Sequence, residues 1–230
     1  AQPALQTARV RRGDLVISIT GAGTLLPVTQ IELGFRSAGL VTEVLVTPGQ
    51  WVEAGQILVQ LDDTAQQLAY TIAQANLDAL FTPESLALYR AEVVNAQLAY
   101  DDAMLKLEAL ETIDEGEEPP AETDLILARA RLAQSELDLV DASRALEIIE
   151  TGPQALETAL SAADGTSLAK LRQVYLAHEN ALQTLENTRL VAPFAGTVVN
   201  LKLAPGQSVN TSPVITLAAL DVLQVKFYID

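Results

Sequence analysis

Cysteine is missing from all 230 residues, which rules out disulfides and thiolate-held metals and removes intracellular thiol redox chemistry. The compartment stays open on this ground, although an oxidising one is tolerated. Histidine occurs once, at His178. Without a second His or a Cys it reads as a packed helix residue rather than a ligand or base. Cations are scarce: 14 Lys and Arg stand against 30 Asp and Glu, a net charge of −16. Nucleic-acid and anionic-lipid surfaces are thereby disfavoured, because phosphate binding requires clustered positive charge. No apolar run approaches the roughly 18 residues of a membrane-spanning helix, and no basic-then-apolar leader opens the chain. The chain is expected to be soluble as it stands. It begins at Ala1 rather than Met and stops within the strand-like VLQVKFYID, so a piece of a longer protein is expected. Enzymatic signatures are also lacking: there is no G-x-S-x-G, phosphate loop or H-E-x-x-H. No catalytic residue, cofactor or metal is therefore expected.

What is present is 49% apolar residues, enough to bury a core. From Val10 to Leu61 short runs rich in Val, Ile, Leu and Thr (LVISIT, TQIELGF, GLVTEVLV, QILVQL) alternate with Gly and Pro, which predicts short strands and tight turns. At Asp62 the period changes. Asp62, Asp63 or Thr64 caps a predicted helix running to Phe81, with Leu68, Ile72, Ala75 and Ala79 on one stripe. Thr82-Pro83 then stops and restarts it.

Leu86, Val93, Tyr100 and Leu107 recur every seven residues, as do Tyr89, Ala96, Ala103 and Leu110. These are the a and d positions of one seam. After the acidic, Pro-containing turn Ile113–Glu122 the repeat resumes, with Leu125, Leu132, Leu139 and Leu146 at one position and Ala128, Ser135, Ala142 and Ile149 at the other. An antiparallel coiled-coil hairpin follows, its small d residues allowing close approach. The break Thr151-Gly152-Pro153 is placed level with Thr82-Pro83, and a short helix is expected from Gln154 to Ala162. A last stripe, Leu168, Leu171, Tyr175, His178, Leu182 and Leu185, leads back as the partner of Thr64–Phe81. At 1.5 Å per residue, the segment from Thr64 to Thr112 would extend roughly 70 Å.

The flanks of this insertion match each other. AGLVTEVLVTPGQWVEAGQILV from Ala38 aligns without a gap on AGTVVNLKLAPGQSVNTSPVIT from Ala195: Gly39, Val41, Pro48, Gly49, Gln50 and Val52 fall on Gly196, Val198, Pro205, Gly206, Gln207 and Val209. A match at constant offset signals duplication. Neither half can bury its apolar face alone, so the two are predicted to close on one another. The strand that begins at Pro193-Phe194-Ala195-Gly196 resumes a sandwich left at Leu61.

With G-x-V and P-G-Q-x-V in the first half, Leu190-x-Ala192-Pro193-Phe194-x-Gly196-Thr197-Val198 in the second and a helical hairpin between, the chain resembles the membrane-fusion, or periplasmic adaptor, family, such as the macrolide-export and haemolysin-secretion adaptors. The resemblance covers Leu15 to Asp230. It implies an α+β fold, a lipoyl-like barrel-sandwich hybrid bearing a coiled-coil hairpin. On this reading residues 1–27 hold strands partly of a membrane-proximal β-barrel domain, 28–62 and 190–220 the two half-motifs, 63–189 the hairpin with its tip at 113–122, and 221–230 the start of the adjoining barrel. It implies a non-enzymatic, extracytoplasmic subunit anchored to the cytoplasmic membrane in the full-length protein. Its partners would be an inner-membrane transporter, ABC-type first, copies of itself in a ring, and an outer channel or other extracytoplasmic protein met through the tip. Members that dock on an outer-membrane channel carry Arg, Leu four residues on and Ser seven further. Here Arg129 is followed by Ala133, and Arg131 by Ser135, which departs from that pattern.

Among candidate interface residues, the tip acids Asp114, Glu115, Glu117 and Glu118 do not follow a calcium-loop spacing and read first as a solvated turn. Their functional reading is contact with a basic partner. Trp51 stands where the second copy has Ser208, which suggests a role outside the duplicated core, whereas Phe194 reads as core filling. Two other classes stay open: a lipoyl or biotinyl carrier domain, and a purely structural coiled-coil protein. Carriers place a lysine at the junction of the halves, and none of Lys106, Lys170, Lys202 and Lys226 lies there.

Overall fold

The computed structural model describes residues 9, 12–13, 23–112, 119–159 and 165–227. Strands β1 (Gly23–Gly34), β2 (Gly39–Val44), β3 (Trp51–Val52) and β4 (Ile57–Leu61) precede helices α1 (Thr64–Ala79), α2 (Pro83–Glu111), α3 (Glu122–Thr151), α4 (Pro153–Ala159) and α5 (Thr166–Glu186). Strands β5 (Arg189–Val191), β6 (Gly196–Leu201), β7 (Ser208–Val209) and β8 (Pro213–Phe227) follow. The fold is α+β.

Two four-stranded sheets form, ordered β1-β8-β6-β3 and β5-β4-β2-β7. Each takes strands from both sides of the helices. The duplication is visible in the pairing itself: Gly39 lies opposite Val209 and Leu40 opposite Ser208, while Gly196 lies opposite Val52 and Thr197 opposite Trp51. These are the same contacts with the halves exchanged. The buried core repeats the relation, with Val41 and Val198, Val52 and Val209, and Leu58 and Ile215 as equivalent pairs. Each fully buried Val, Leu or Ile contributes about 1.5–3 kcal/mol, and separating the halves would expose several of them at once.

The helices follow from their ends and their periods. Thr82 accepts a hydrogen bond from the Ser85 amide (3.2 Å), with Pro83 at the first helical position of α2; hydroxyl cap and N1 proline together restart the chain. All eight predicted seam positions of α2 and all eight of α3 are buried or half-buried. Arg90 meets Glu150 at 2.8 Å and Arg129 meets Glu111 at 2.8 Å, which fixes an antiparallel register. α3 ends at Thr151, and α4 packs Leu156 into a cluster with Leu77, Ala145, Ile148, Ile149, Leu168 and Leu171, flanked by Phe81, Leu86 and Tyr89. The two chain breaks therefore share one level, as the spacing predicts. The expected extension of α4 to Ala162 falls in part outside the described residues.

One expectation fails. On α1 the predicted stripe Leu68, Ile72, Ala75 and Ala79 is exposed, and the buried residues are Ala73 and Leu77. α1 is apolar over a wide arc and packs along its length mainly against α5, with only its end at Leu77 reaching the cluster shared with α3 and α4. One long neighbour covers only part of that arc. On α5 the predicted stripe holds: Leu168, Leu171 and His178 are buried and Tyr175, Leu182 and Leu185 half-buried.

Candidate functional site

No group of three or more His, Cys, Asp or Glu suited to a metal occurs among the described residues, and none of their helices is long and apolar enough to cross a membrane. The functional architecture is a joint, in which a sandwich holds the base of a helical arm.

The joint is built from the turn residues of the duplicated motif. Gly49 and Gly206 both adopt positive φ, 86° and 81°, which only glycine does without strain. Their amides donate to the Val198 and Val41 carbonyls at 2.7 and 2.8 Å, each turn reaching across to the other half. Gln50 and Gln207 accept from the Thr47 and Ala204 amides at 3.0 and 3.2 Å. The exposed Pro48 and Pro205 precede these glycines, so P-G-Q is a turn that locks onto its opposite copy. Gly39 and Gly196 serve another need. A Cβ at Gly39 would come within 2.9 Å of the Leu61 side chain, and one at Gly196 within 2.7 Å of the Ala218 carbonyl. Pro193 is exposed, and the half-buried Phe194 packs against the core. Trp51 is 57% exposed, which places its ring outside that core.

The arm leaves and returns at one place. The Leu61 amide donates to the Thr188 carbonyl at 2.9 Å, and Gln60 lies opposite Arg189 in the β4–β5 ladder. The Asp62 carboxylate accepts from the Thr64 hydroxyl (2.8 Å) and amide (3.2 Å); these bonds hold its pKa below the ordinary carboxylate value. Farther out, His178 Nε2 lies 2.8 Å from Gln74 Oε1. The Gln74 amide nitrogen donates to Asp78, so its oxygen faces the ring and Nε2 is the donor. The Tyr70 ring packs beside it.

A second joint was not legible as a motif. The buried Asp141 of α3 accepts from the Ser167 and Leu168 amides of α5 at 2.8 and 3.3 Å, and the Ser167 hydroxyl donates to Glu92 of α2 at 2.6 Å. A carboxylate on another helix thus satisfies the first amides of α5, whose own N-cap, Gly165, has no side chain to do so. A Cβ at Gly165 would overlap that carboxylate. The available signal was an acid beside a seam position facing a Gly-Thr-Ser loop. Burial, with the Glu92 carboxylate nearby, raises the Tyr89 hydroxyl above its ordinary pKa.

Of the tip residues, Asp114, Glu115, Glu117 and Glu118 lie outside the described residues. Below the tip, Arg129 is held by Glu111, and Ser135 is buried in the seam, its hydroxyl donating to the Leu132 carbonyl.

Two interlocked half-motifs forming a sandwich, with a helical hairpin inserted between them, define a barrel-sandwich hybrid. A family model for the CzcB-like barrel-sandwich hybrid domain matches residues 30–219, and the chain belongs to that family. A UPF0194 membrane protein of Yersinia pseudotuberculosis is 30% identical over 210 residues, covering 86% of this chain and 62% of that protein. The pyoverdine export membrane fusion protein PvdR of Pseudomonas putida is 35% identical over 107 residues, 46% of this chain and 24% of that protein. The crystal structure of MacA from Actinobacillus actinomycetemcomitans superposes with a TM-score of 0.52 at 21% identity, covering 90% of this chain and 54% of that one. The resemblance to membrane-fusion adaptors is borne out by these findings. The chain spans less than two thirds of the length of these relatives.

Proposed function

We propose that this chain is the sandwich and arm of an extracytoplasmic adaptor subunit, held at the cytoplasmic membrane in the full-length protein, that links an inner-membrane transporter of the ABC type to a partner reached by its hairpin. The observation that carries this reading is the single exit and entry point, where Leu61 bonds to Thr188 and strands β4 and β5 run side by side. A helical excursion anchored at one paired base is a lever or a spacer. A catalytic insertion would instead bring chemically active side chains to a cleft. The name of PvdR, an export membrane fusion protein, supports the same class. The ends of β1 and β8, paired from Gly23 opposite Phe227 to Pro27 opposite Leu223, are proposed as the root of the adjoining β-barrel domain. Self-association in a ring and contact through the acidic tip belong to this reading.

Co-purification tests it. The full-length protein, extracted from membranes with a candidate transporter, is expected to elute with it as a multimer, and removal of residues 113–122 is expected to abolish export while leaving that complex intact. A strict monomer in the presence and absence of transporter overturns the adaptor reading, and unchanged export after the deletion overturns the role of the tip.

A further inference from the structure

Two of the chain segments that meet in the middle of the arm are interrupted there. Leu80, Phe81 and Thr82 separate α1 from α2, and Pro83 cannot continue the first helix. The Thr82 hydroxyl donates to the Ala79 carbonyl at 3.1 Å and accepts from the Ser85 amide at 3.2 Å, so one side chain ties both ends of the break. On the other side α3 stops at Thr151, and Gly152 follows with a φ of 102° and open space around it. α5 bridges this level. Its first turns lie on α3, where Leu168 and Leu171 share a cluster with Ala145, Ile148 and Ile149. Farther along it packs on α1, where His178 meets Gln74.

The bridging helix is fastened at its start by the upper coil. The Ser167 and Leu168 amides donate to the buried Asp141 carboxylate of α3 at 2.8 and 3.3 Å, and the Ser167 hydroxyl donates to Glu92 of α2 at 2.6 Å. Along their helices, Asp141 and Glu92 stand roughly 15 Å to the tip side of Thr151 and Pro83. The first turn of α5 has no means of its own to end cleanly: its N-cap is Gly165 and it holds no acid. Formation of that turn is therefore coupled to its fastening.

We infer that α5 is a splint and Asp141 its latch. Docked, the first turn of α5 holds the lower coil α1–α5 in line with the upper coil α2–α3; released, it lets the arm bend at Thr82 and Gly152. The apolar cluster at the same level draws the helices together without fixing their angle, because burial is non-directional. The hydrogen bonds at Ser167 and Leu168 fix it. The leverage is large. α2 is 29 residues long, or roughly 43 Å, so a bend of about 10° at the break carries its far end roughly 7 Å sideways. Such a joint sets where the tip lies, whatever partner stands there.

The two glycines that flank α4 separate the latch from the backbone around it. A Cβ at Gly165 would overlap the Asp141 carboxylate, whereas one at Gly152 would meet nothing. With no cysteine in the chain, pairs of spin labels on introduced cysteines can read the joint in the full-length protein. Ala75→Cys with Ala99→Cys, exposed on α1 and α2, spans the break, and Ala87→Cys with Ala109→Cys, both exposed on α2, does not. Both pairs are expected to give narrow distance distributions when the latch is intact. Asp141→Ala and Gly165→Ala are each expected to widen the spanning distribution at least about twofold and to leave the α2 pair unchanged. Gly152→Ala is expected to leave both narrow. Asp141→Asn, which keeps one oxygen to accept, is expected to fall between, and it decides the matter if Asp141→Ala does not fold. A spanning distribution that is broad before the latch is touched overturns the inference. So does one that stays narrow in Gly165→Ala and Asp141→Asn while the Ser167 and Leu168 amides exchange rapidly with solvent, and so does equal widening in Gly152→Ala.

Discussion

The sandwich and the arm bury their apolar residues in different ways. In the sandwich, Val52, Leu58, Val59, Val198 and Leu217 have no accessible surface, and many of the contacts that exclude water reach across the whole insertion, as where Ile31 lies opposite Leu217 and Ile57 opposite Val191. In the arm the contacts join helices laid side by side, α2 on α3 and α1 on α5. The seam is only half covered, and large apolar side chains such as Leu98, Leu105 and Leu137 face outward. A two-stranded coil is too thin to enclose its own apolar surface. The sandwich therefore encloses a core within one copy, although Leu40, Val191 and Val199 on its strands are exposed, whereas the arm has seams that are only half covered.

The sharpest way to break this comparison is to truncate one leucine in each region. Leu217→Ala is expected to cost about 3 kcal/mol, because it removes a buried side chain and leaves a cavity. Leu98→Ala, at an outward position, is expected to stay within about 0.5 kcal/mol in the isolated chain. Urea unfolding measures both, and similar losses would mean that the arm is enclosed in one copy after all. Next in size is Asp141→Ala, expected to cost about 2 kcal/mol, since it strips the acceptor from two buried amides at the start of α5. Exchange of the Ser167 and Leu168 amides with solvent should accelerate in this variant, and Asp141→Asn should restore part of the protection.

Much of this contrast was legible in the residues, for physical reasons. The duplicated halves could be aligned because P-G-Q and G-x-V each meet a strict local demand: positive φ at Gly49 and Gly206, and no room for a Cβ at Gly39 and Gly196. The hairpin seam was legible because a heptad is a local period. The covered face of α1 was not, since Leu68 and Ile72 are as apolar as Leu77, and the choice among them is made by α5, a hundred residues away. Asp141 was hidden for the same reason. One acid among the chain's 30 is distinguished only by the amides that another helix brings to it. Trp51 lay between the two cases: its mismatch with Ser208 was visible, and its outward position agrees with that.

The equivalence of the two halves can be sharpened at Gly49 and Gly206. Alanine at either is expected to cost about 1 kcal/mol from the positive φ alone, since open space surrounds both positions. Equal losses in thermal unfolding would show that the turns bear equal strain. A loss at one turn only would mean that the halves have diverged in the contact each makes across the sandwich.

The smallest effect is expected where the arm is wettest. Arg90 and Glu150 form a good ion pair at 2.8 Å, yet their side chains are 60% and 45% exposed, so water screens most of the attraction and ordering two long side chains offsets more of it. Arg90→Ala is expected to cost about 0.5 kcal/mol at low salt and close to nothing near 1 M salt, where the screening length falls to about 3 Å. A loss of about 2 kcal/mol that persists in high salt would imply that this face is shielded from water in the state measured. In the isolated chain that would contradict the description of the arm as a two-helix coil.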